Sequence, residues 1–434
     1  MKLQGWGKFP VIESKSLLIN RRDELKISPF KKSEASVIAY GNGRSYGDSA
    51  LADYHIPMRT FNRFLNFDSH HGLLTCEPGV LLSEIIEVFL PRGWFLKITP
   101  GTKLITVGGA VASDVHGKNH HKQGCFSNSV KSLKLILPNE REYVCSESEN
   151  TALFRATCGG MGLTGIISEV TLQLKKVNSQ WINQKTIPTK NLEDTFEAFE
   201  KYADEPYSVA WIDTLAKGNI AGRSVLMTGD FSSDGDLNYK ASKKINIPFN
   251  APSFLLNKLT SKSFNWLYYN KSRAGKSEQT VSVDTFFYPL DAISNWNRIY
   301  GKNGFVQFQF ILPKRNSFEG LRNIVNKISE SRYPSYLAVL KLYGPENKNY
   351  LSFPLEGYSL ALDFKVEKGL IEFLRNLSRE VQKYDGRIYL AKDAIVEKEI
   401  FEKGYSKIQE FRDFRSENGL KRHLNSLQSI RLDL

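Results

Sequence analysis

The amino-acid sequence predicts an α+β fold divided into about two to three domains, since 434 residues exceed what one compact core accommodates. From Ala35 to about Leu174, short β-branched runs alternate with glycine-rich turns, the pattern of strands joined by tight turns. After Lys176, amphipathic helical patterns alternate with strand patterns, which indicates a sheet covered by helices. We therefore expect a first domain over residues 1–178, a second over residues 179–386, and a C-terminal segment, 387–434, that returns to the first domain.

The individual elements follow from the period of the apolar residues. In the first domain, strands are predicted at SVIAY, SLKLILP and GIISEVTLQLKK, and a helix at LLSEIIEVFLPRG, which Pro91 and Gly93 would end. In the second domain, helices are predicted at NLEDTFEAFEKYADE, SFEGLRNIVNKISES and KGLIEFLRNLSREVQKY. Strands are predicted there at AWIDTL, SVLMTGDF, VSVDTFFYPL, FVQFQFILP, YLAVLKLYG and YSLALDFKV, and the stretch from RIYLAKDA onward is predicted to be a short strand followed by helices.

The composition is that of a soluble enzyme with a basic surface. Lys and Arg number 59 against 46 Asp and Glu, and the net charge of +13 favours polyanionic partners such as nucleic acid, anionic lipid or phosphorylated substrates. No apolar run approaches the roughly 18 residues of a membrane span, and MKLQGWGKFP lacks a signal-peptide pattern, so a cytoplasmic location is expected. The four cysteines form no CxxC pair, which indicates buried thiols rather than a zinc site or a disulfide framework.

Three glycine-rich clusters carry the chemistry. The loop Gly41–Asp48 could bring consecutive N–H groups against a pyrophosphate, although taken alone it could equally be a turn. Its spacing is not that of a Rossmann fingerprint, and the GxGxxG at Gly160–Gly165 precedes a predicted strand instead of a helix. In the run 100–121, small residues would let a flat cofactor approach, and His116 is either a ligand contact or a structural histidine. Adjacent His120 and His121 do not predict a metal site.

The segment from Lys240 to Lys276 combines eight Lys and Arg residues with six aromatic residues and has no Asp or Glu. It lacks clear periodicity, so we expect it to be loosely ordered. Two interpretations stay open. The segment is either a solvated basic loop or a mobile lid that contacts an anionic membrane, because rings sit at the headgroup level while lysines meet phosphate.

Together, the loop GNGRSYGD, the run ITPGTKLITVGGAVASDVHGKNH and the turn GGMGLTGII resemble the FAD-binding domain of the vanillyl-alcohol-oxidase superfamily. Within it, HGKNHH with AKDA, and further segments along nearly the whole chain, are most similar to the decaprenylphosphoryl-β-D-ribose 2′-oxidase family. The resemblance implies a two-subdomain FAD-binding domain with an inserted substrate domain. It also implies oxidation of the 2-hydroxyl of a polyprenylphosphoryl pentose to a keto sugar, with hydride passing to flavin N5, as the first half of an epimerisation.

The resemblance also assigns residues. FAD would be held by the first loop, Gly41, Asn42, Gly43, Arg44, Ser45, Tyr46 and Gly47, and by Gly101, Thr102, Thr106, Val107, Gly108, Gly109, Ser113, His116, Gly117, Ile167 and Tyr389. Because Arg44 stands where relatives often attach flavin through histidine, FAD is expected to be non-covalent. The catalytic group would be Lys392, His116 and Tyr46, with Lys392, His116 or a water as the base. The substrate pocket would comprise Lys118, Trp211, Gln307, Gln309, Lys341, Tyr343, Ser359 and Ala361.

Ser359 and Ala361 replace an asparagine and a cysteine of mycobacterial members, which bears on pocket size and substrate. The resemblance implies a lipid-linked sugar phosphate as substrate, a separate NADH-dependent short-chain reductase as partner, and a location that could include the inner face of the membrane. Two other function classes are open. One is a flavin oxidase of a free polyol or aldonolactone that uses oxygen. The other is a nucleic-acid binder, which charge alone suggests and which a flavin absorption spectrum would dismiss; we expect no nucleic acid.

Overall fold

A computed structural model describes residues 1–27, 35–241, 244–252 and 255–434. Helices and strands are mixed along the chain, which agrees with the predicted α+β class. The strands up to residue 176 are β1 (Lys2–Gln4), β2 (Val11–Glu13), β3 (Lys15–Ser16), β4 (Val37–Tyr40), β5 (Tyr54–Pro57), β6 (Phe64–Asp68), β7 (Leu73–Cys76), β8 (Trp94–Leu96), β9 (Val130–Ile136), β10 (Glu142–Cys145) and β11 (Ile166–Lys176). The helices of this part are α1 (Arg22–Ile27), α2 (Leu82–Phe89), α3 (Val107–Ala112), α4 (His120–Gln123) and α5 (Thr151–Thr157).

Two sheets build this first part. A six-stranded antiparallel sheet has the order β10-β9-β11-β7-β6, with β8 paired to the far end of β11. A three-stranded parallel sheet has the order β3-β5-β4. In β11 the residues alternate between buried and half-buried positions from Ser168 onward, because one face of the strand packs on the core. That core joins residues of β7, β9 and β11 to α2 and α5.

The second part is dominated by one large sheet. Its strands are β12 (Trp181–Thr189), β13 (Tyr207–Ile212), β14 (Ser224–Phe231), β16 (Glu278–Ser282), β18 (Phe305–Pro313), β19 (Ala338–Tyr343), β20 (Gly357–Lys365) and β21 (Arg387–Ile388), and a separate short pair is β15 (Ile245–Asn246) with β17 (Ile293–Ser294). The large sheet is antiparallel and has the order β16-β12-β14-β13-β19-β20-β18-β21. The remaining helices are α6 (Leu192–Lys201), α7 (Lys258–Ala274), α8 (Val283–Phe287), α9 (Lys314–Glu330), α10 (Leu370–Lys383), α11 (Lys398–Gly404), α12 (Ile408–Glu417) and α13 (Leu427–Leu432).

Most of the elements predicted from apolar period are present; two expectations were wrong, and one short helix was not foreseen. VSVDTFFYPL is a strand only as far as Ser282, whose side chain accepts the Thr285 N–H and starts α8. The run around residue 107 contains α3, which Thr106 caps by accepting the Gly109 N–H. The segment 240–276, which we expected to be loosely ordered, contains the 17-residue helix α7, capped by Asn257. Lys243 and Phe254 of that segment lie outside the described residues.

The C-terminal residues contact both parts of the chain. β21 pairs with β18 of the large sheet. Further along, the Asn425 N–H donates to the Val37 carbonyl and the Leu427 N–H to the Leu51 carbonyl, both in the first part. Arg431 forms ion pairs with Asp48 at 3.0 Å and with Asp393 at 2.7 Å, so it joins the end of the Gly41–Asp48 loop to the segment after Lys392.

Two further expectations concern cysteines and membrane spans. All four cysteines are free and buried, as expected. Over the part of the chain that the structure describes, no helix is both long and apolar enough to cross a bilayer.

Candidate active site

The large sheet has one apolar face and one polar face, and the polar face forms the floor of the site. On β18, Val306, Phe308, Phe310 and Leu312 pack with residues of α9 and α10. The alternate positions include Gln307 and Gln309, and register places Gln307 opposite Asp363, Gln309 opposite Ala361 and Lys341 opposite Ser359. Because residues two apart share a face of a strand, one surface collects Gln307, Gln309, Lys341, Tyr343, Ser359, Ala361 and Asp363.

His116 meets this face from the first part of the chain. Its Nε2 lies 3.2 Å from the amide nitrogen of Gln309, which lies 3.2 Å from Ser359 Oγ. With that amide as donor, Nε2 accepts and the proton of the neutral ring is on Nδ1. His116 Nδ1 is buried and has no hydrogen-bond partner among the described residues. Burial, and then the charges of Lys341, His120 and Lys392, hold the pKa of His116 well below its usual value. His116 is therefore a neutral imidazole whose Nδ1–H has no protein partner among the described residues.

Three half-buried lysines surround the same space. Lys392 ends the short turn Leu390–Lys392, and its Nζ lies 3.7 Å from the centre of the Tyr46 ring. Burial lowers the pKa of Lys392 to about 7, with Lys341 adding to the effect and Asp363 opposing it. Burial also lowers the pKa of Lys341 to about 8, and burial followed by the charge of Lys341 lowers the pKa of Lys118 to about 7. Among the described residues, no carboxylate lies within ion-pair distance of these three amines.

The Gly41–Asp48 loop follows β4 and is held between α3 and the segment after Tyr389. A Cβ atom at Gly41 would lie 2.5 Å from Thr106 Oγ1, and one at Gly47 would overlap the Asp393 carbonyl oxygen. The Tyr46 N–H donates to the Ala391 carbonyl at 3.1 Å. Glycine is therefore required at Gly47 by close backbone packing, and at Gly41 by the close approach of the Thr106 side chain.

The middle of this loop has the donors that a pyrophosphate needs. Within the described part of the chain, the N–H groups of residues 42–45 make no hydrogen bond. The Nε of Arg44 is buried without a partner, and the guanidinium lies 4.0 Å from the Trp6 ring centre. Consecutive backbone N–H groups beside a cation suit an anionic phosphate group. The residues present thus fit a phosphate-bearing cofactor such as FAD.

The run 100–117 has few free hydrogen-bond donors for a cofactor, and it offers mainly space beside its backbone. The N–H groups of Val107 and Gly108 donate to carbonyls of Val80 and Pro78 at 2.8 Å each, so the start of α3 has few free donors. A Cβ at Gly101 would meet nothing within 4 Å, and this residue borders open space. Beside it, Thr102 Oγ1 donates to Asp291 at 2.7 Å, which fixes the run against the second part of the chain.

The comparisons with known proteins agree with this geometry. A family model described as an FAD binding domain matches residues 27–146. The decaprenylphosphoryl-beta-D-ribose oxidase of Mycolicibacterium smegmatis is 34% identical over 427 residues, which cover 94% of this chain and 92% of that protein. The chain belongs to this oxidase family. It is accordingly an oxidoreductase that uses FAD.

Two further relatives match shorter regions. A protein of Streptomyces coelicolor, named only for its place in the mprA 5′ region, is 27% identical over 352 residues, which cover 78% of this chain and 95% of that protein. The L-gulonolactone oxidase of Bos taurus is 33% identical over 134 residues, or 31% of this chain and 30% of that protein. The likeness to the lactone oxidase is therefore confined to under a third of each chain.

Among the predicted site residues, Gln309, Tyr343 and Tyr389 contact His116, whereas Trp211 and Ile167 pack in other places. Tyr389 has its ring centre 4.9 Å from that of His116 and donates its hydroxyl to the Ser113 carbonyl at 3.0 Å. Trp211 packs instead on Tyr268 of α7, at 4.8 Å between ring centres. Ile167 belongs to the core of the six-stranded sheet.

Two buried acids were missed by the sequence analysis. Asp114, two residues before His116, accepts hydrogen bonds from the Ser127 N–H at 2.9 Å and from three side chains after β19: Asn347 at 2.7 Å, Asn349 at 2.8 Å and Ser352 at 2.7 Å. Asp363 accepts from Gln307 Nε2 at 2.6 Å. The only signal for Asp363 is an acidic residue at an alternate position of an otherwise apolar strand, YSLALDF.

Proposed function

We propose that this enzyme oxidises the 2-hydroxyl of a polyprenylphosphoryl pentose to a keto group, as the first half of an epimerisation. The observation that carries the proposal is the group of three half-buried lysines without carboxylate partners beside neutral His116. A buried cation is stable only when an opposite charge accompanies it. A phosphate on the substrate would supply that charge, and the name of the Mycolicibacterium relative describes such a phosphorylated ribose.

Oxidation of a secondary alcohol removes a proton from oxygen and a hydride from carbon. FAD, when bound, supplies the hydride acceptor. Lys392 can take the hydroxyl proton, because a pKa of about 7 leaves a substantial fraction of free amine at neutral pH. In its charged form the same residue would instead stabilise the developing alkoxide, and His116 or a water would take the proton. The free Nδ1–H of His116 can donate a hydrogen bond to the sugar in either case.

Lys118 and Lys341 are assigned to the substrate phosphate. The Lys118 ammonium donates to the Phe286 carbonyl and lies 4.2 Å from the centre of that ring, so its position is fixed. Lys341 has no such partner among the described residues and is free to bind an anion. Gln309 and Ser359, which hold His116, would orient the sugar hydroxyls.

The cofactor is proposed to bind without a covalent bond. Arg44 occupies the loop position at which relatives carry the attaching histidine, and a guanidinium cannot form that bond. FAD would be held by the free N–H groups of residues 42–45 and by close backbone approach at Gly101 and Gly117. The proposal also includes three regions, residues 1–178, 179–386 and 387–434, as the domain limits. It further includes a separate NADH-dependent reductase as a partner.

The test is anaerobic flavin reduction by a synthetic short-chain prenylphosphoryl ribose, followed by absorbance. Free ribose, a polyol and an aldonolactone serve as comparison substrates. The proposal expects fast bleaching with the prenylphosphoryl sugar only. Equal or faster bleaching by the lactone or polyol would favour the second candidate, an oxidase of free sugars, which the partial match to L-gulonolactone oxidase supports.

A peripheral membrane contact through α7 would bring the lipid-linked substrate to the site. Phe264, Trp266 and Leu267 on this helix are 57%, 58% and 60% exposed. The buried positions of α7 are Ser261, Asn265 and Tyr269, and Asn265 donates to Asp213 at 2.7 Å. The helix is thus fixed through polar groups, while apolar side chains and the cations Lys262, Lys271 and Arg273 remain available to an anionic bilayer.

Co-sedimentation with anionic liposomes at low and high salt tests this contact. The variant Phe264→Ser/Trp266→Ser/Leu267→Ser should lose most of the binding. The matched control Val11→Ser/Leu18→Ser/Ile220→Ser removes exposed apolar residues elsewhere and should bind as the wild type does. Lys258 is left unchanged because its Nζ donates to the carbonyls of Ser329 at 2.8 Å and Ser331 at 2.6 Å. Equal binding by all three proteins would leave α7 as an ordinary surface helix.

A further inference from the structure

Asp363 is a buried acid that the proposed chemistry has not yet used. It lies on the polar face of the large sheet and is fully buried. Gln307 Nε2 donates to Oδ1 at 2.6 Å, and the Tyr300 hydroxyl donates to Oδ2 at 3.3 Å. Neither partner carries a positive charge, so these hydrogen bonds do not neutralise the carboxylate.

The positive charge that acts on Asp363 comes from Lys392. Burial raises the pKa of Asp363 to about 7, while the hydrogen bond from Gln307, the charge of Lys392 and the hydrogen bond from Tyr300 oppose that rise. In return, Asp363 raises the pKa of Lys392 against the lowering effects of burial and Lys341. Tyr46 lies between them: Lys392 sits over its ring, and both Asp363 and Gln307 act on its hydroxyl.

The other ionisable groups at Lys392 cannot replace this carboxyl. Lys341 is a cation and His116 is neutral, and Tyr46, Tyr300 and Tyr389 are buried phenols whose pKa values lie above their ordinary value. Among these groups, Asp363 is therefore the acid whose charge acts on Lys392, although the two do not form a direct ion pair. Lys118 differs, because only burial and Lys341 shift its pKa.

We infer that Asp363 is a positioning residue that sets the charge of the Lys392 amine while the alcohol is oxidised. The inference rests on the proposed function for its role in turnover, but the electrostatic pairing itself does not. The carboxylate holds a proton on Lys392 that burial would otherwise remove. Through Gln307 it also fixes the sheet side of the pocket next to Tyr46.

The variant D363N removes the charge and keeps the shape. The amide oxygen can accept from Gln307, and the amide nitrogen can donate to the Tyr300 hydroxyl oxygen, so both hydrogen-bonded neighbours retain a partner. Flavin content and melting temperature establish that the variant folds. If D363N does not fold, the same measurements are made on D363S, whose side chain is also neutral but smaller. Tyr300→Phe is the matched control, since it removes one hydrogen bond at Asp363 and leaves the carboxyl in place.

The first measurement is the pH dependence of acetic anhydride labelling at Lys392 in the flavoprotein, quantified by mass spectrometry. We expect the labelling midpoint of D363N to move to lower pH by on the order of one unit, the usual effect of a neighbouring opposite charge. The midpoint of Lys118 in the same samples should not move. Tyr300→Phe should shift Lys392 less than D363N does. An unchanged Lys392 midpoint in D363N would overturn the inference.

The second measurement is the pH profile of flavin reduction by the prenylphosphoryl sugar. Its inflection should also move to lower pH in D363N, whether Lys392 acts as the base or as a cation, because both roles depend on the same protonation. A labelling shift without any flavin reduction would refute the proposed function and leave the pairing intact. Flavin reduction with an unmoved inflection would refute the role of Asp363 in turnover.

Discussion

Asp114 gives the sharpest prediction about stability. Four donors converge on its carboxylate, three of them on Oδ2 and the Ser127 N–H on Oδ1. In the variant Asp114→Asn, the amide oxygen can take the place of Oδ2 and keep the three donors. The amide nitrogen then replaces Oδ1 and opposes the Ser127 N–H, so one charge-assisted bond is lost and one buried donor is left unpaired. The opposite amide orientation would lose three donors and is less favourable.

The magnitude follows from these counts. A hydrogen bond to a charged group contributes about 1.5–3 kcal/mol, and an unpaired buried donor costs about 1–3 kcal/mol. Since the two effects overlap, the expected loss in unfolding free energy is about 2–4 kcal/mol. With 434 residues and an unfolding entropy of about 2.1 cal/mol/K per residue, the melting temperature should fall by about 2–4 °C if the chain unfolds as one unit.

The assay is thermal unfolding of the flavoprotein, followed by flavin fluorescence and by circular dichroism. Asp385→Asn is the matched control, because Asp385 is exposed and pairs with exposed Arg315, an arrangement that contributes little to stability. A melting temperature of Asp114→Asn within about one degree of the wild type would refute the reasoning. So would an equal decrease in the Asp385→Asn control.

Three further predictions concern the cofactor and the lysines. Acid or heat denaturation should release all flavin, and flavin that stays on the precipitated chain would contradict non-covalent binding. Lys392→Ala and His116→Ala should keep FAD and lose most of kcat, whereas Lys341→Ala should mainly raise KM; near-normal kcat in the first two would remove them from the mechanism. Because the pKa of Lys341 is about 8, its ammonium is lost as pH rises through that value. KM for the phosphorylated substrate should therefore rise above about pH 8, and a flat KM profile there would exclude a phosphate contact at Lys341.

Elements with a strong apolar period were predictable from the sequence. In β18 the phenylalanines alternate with glutamines, and in α10 the apolar residues recur at helical spacing, so pattern alone identifies each element. Three helices that were not predicted from the sequence, α3, α7 and α8, each have a first turn that depends on an N-cap side chain. Ser282 and Thr106 begin short helices through one side-chain hydrogen bond each, and such a bond leaves no periodic signal. In α7, polar residues occupy the buried face, which reverses the usual pattern of an amphipathic helix.

In the candidate site, motifs in the sequence identified individual residues, but the motifs did not show which other residues they contact. The glycine loop, His116 and Lys392 stand in recognisable motifs, and the structure places His116 beside Gln309 from a distant strand. Asp114 and Asp363 stand in no such motif of their own. Three of the four donors to Asp114 are more than two hundred positions away, and Gln307 faces Asp363 from the neighbouring strand, so only the folded chain shows these partners.

The alternation of β18, β19 and β20 separates the residues that hold the sheet together from those on the face with His116. The apolar positions of these strands pack with α9 and α10 and hold the sheet together. The alternate positions, including Ser359 and Ala361, lie on the same face as Gln309 and Lys341 and bear little of that packing. Ser359 is hydrogen-bonded to the Gln309 amide that holds His116, so a change at 359 acts on the imidazole through one side chain. Substitutions at 359 and 361 should therefore alter the proposed substrate pocket while the packing of the sheet is retained.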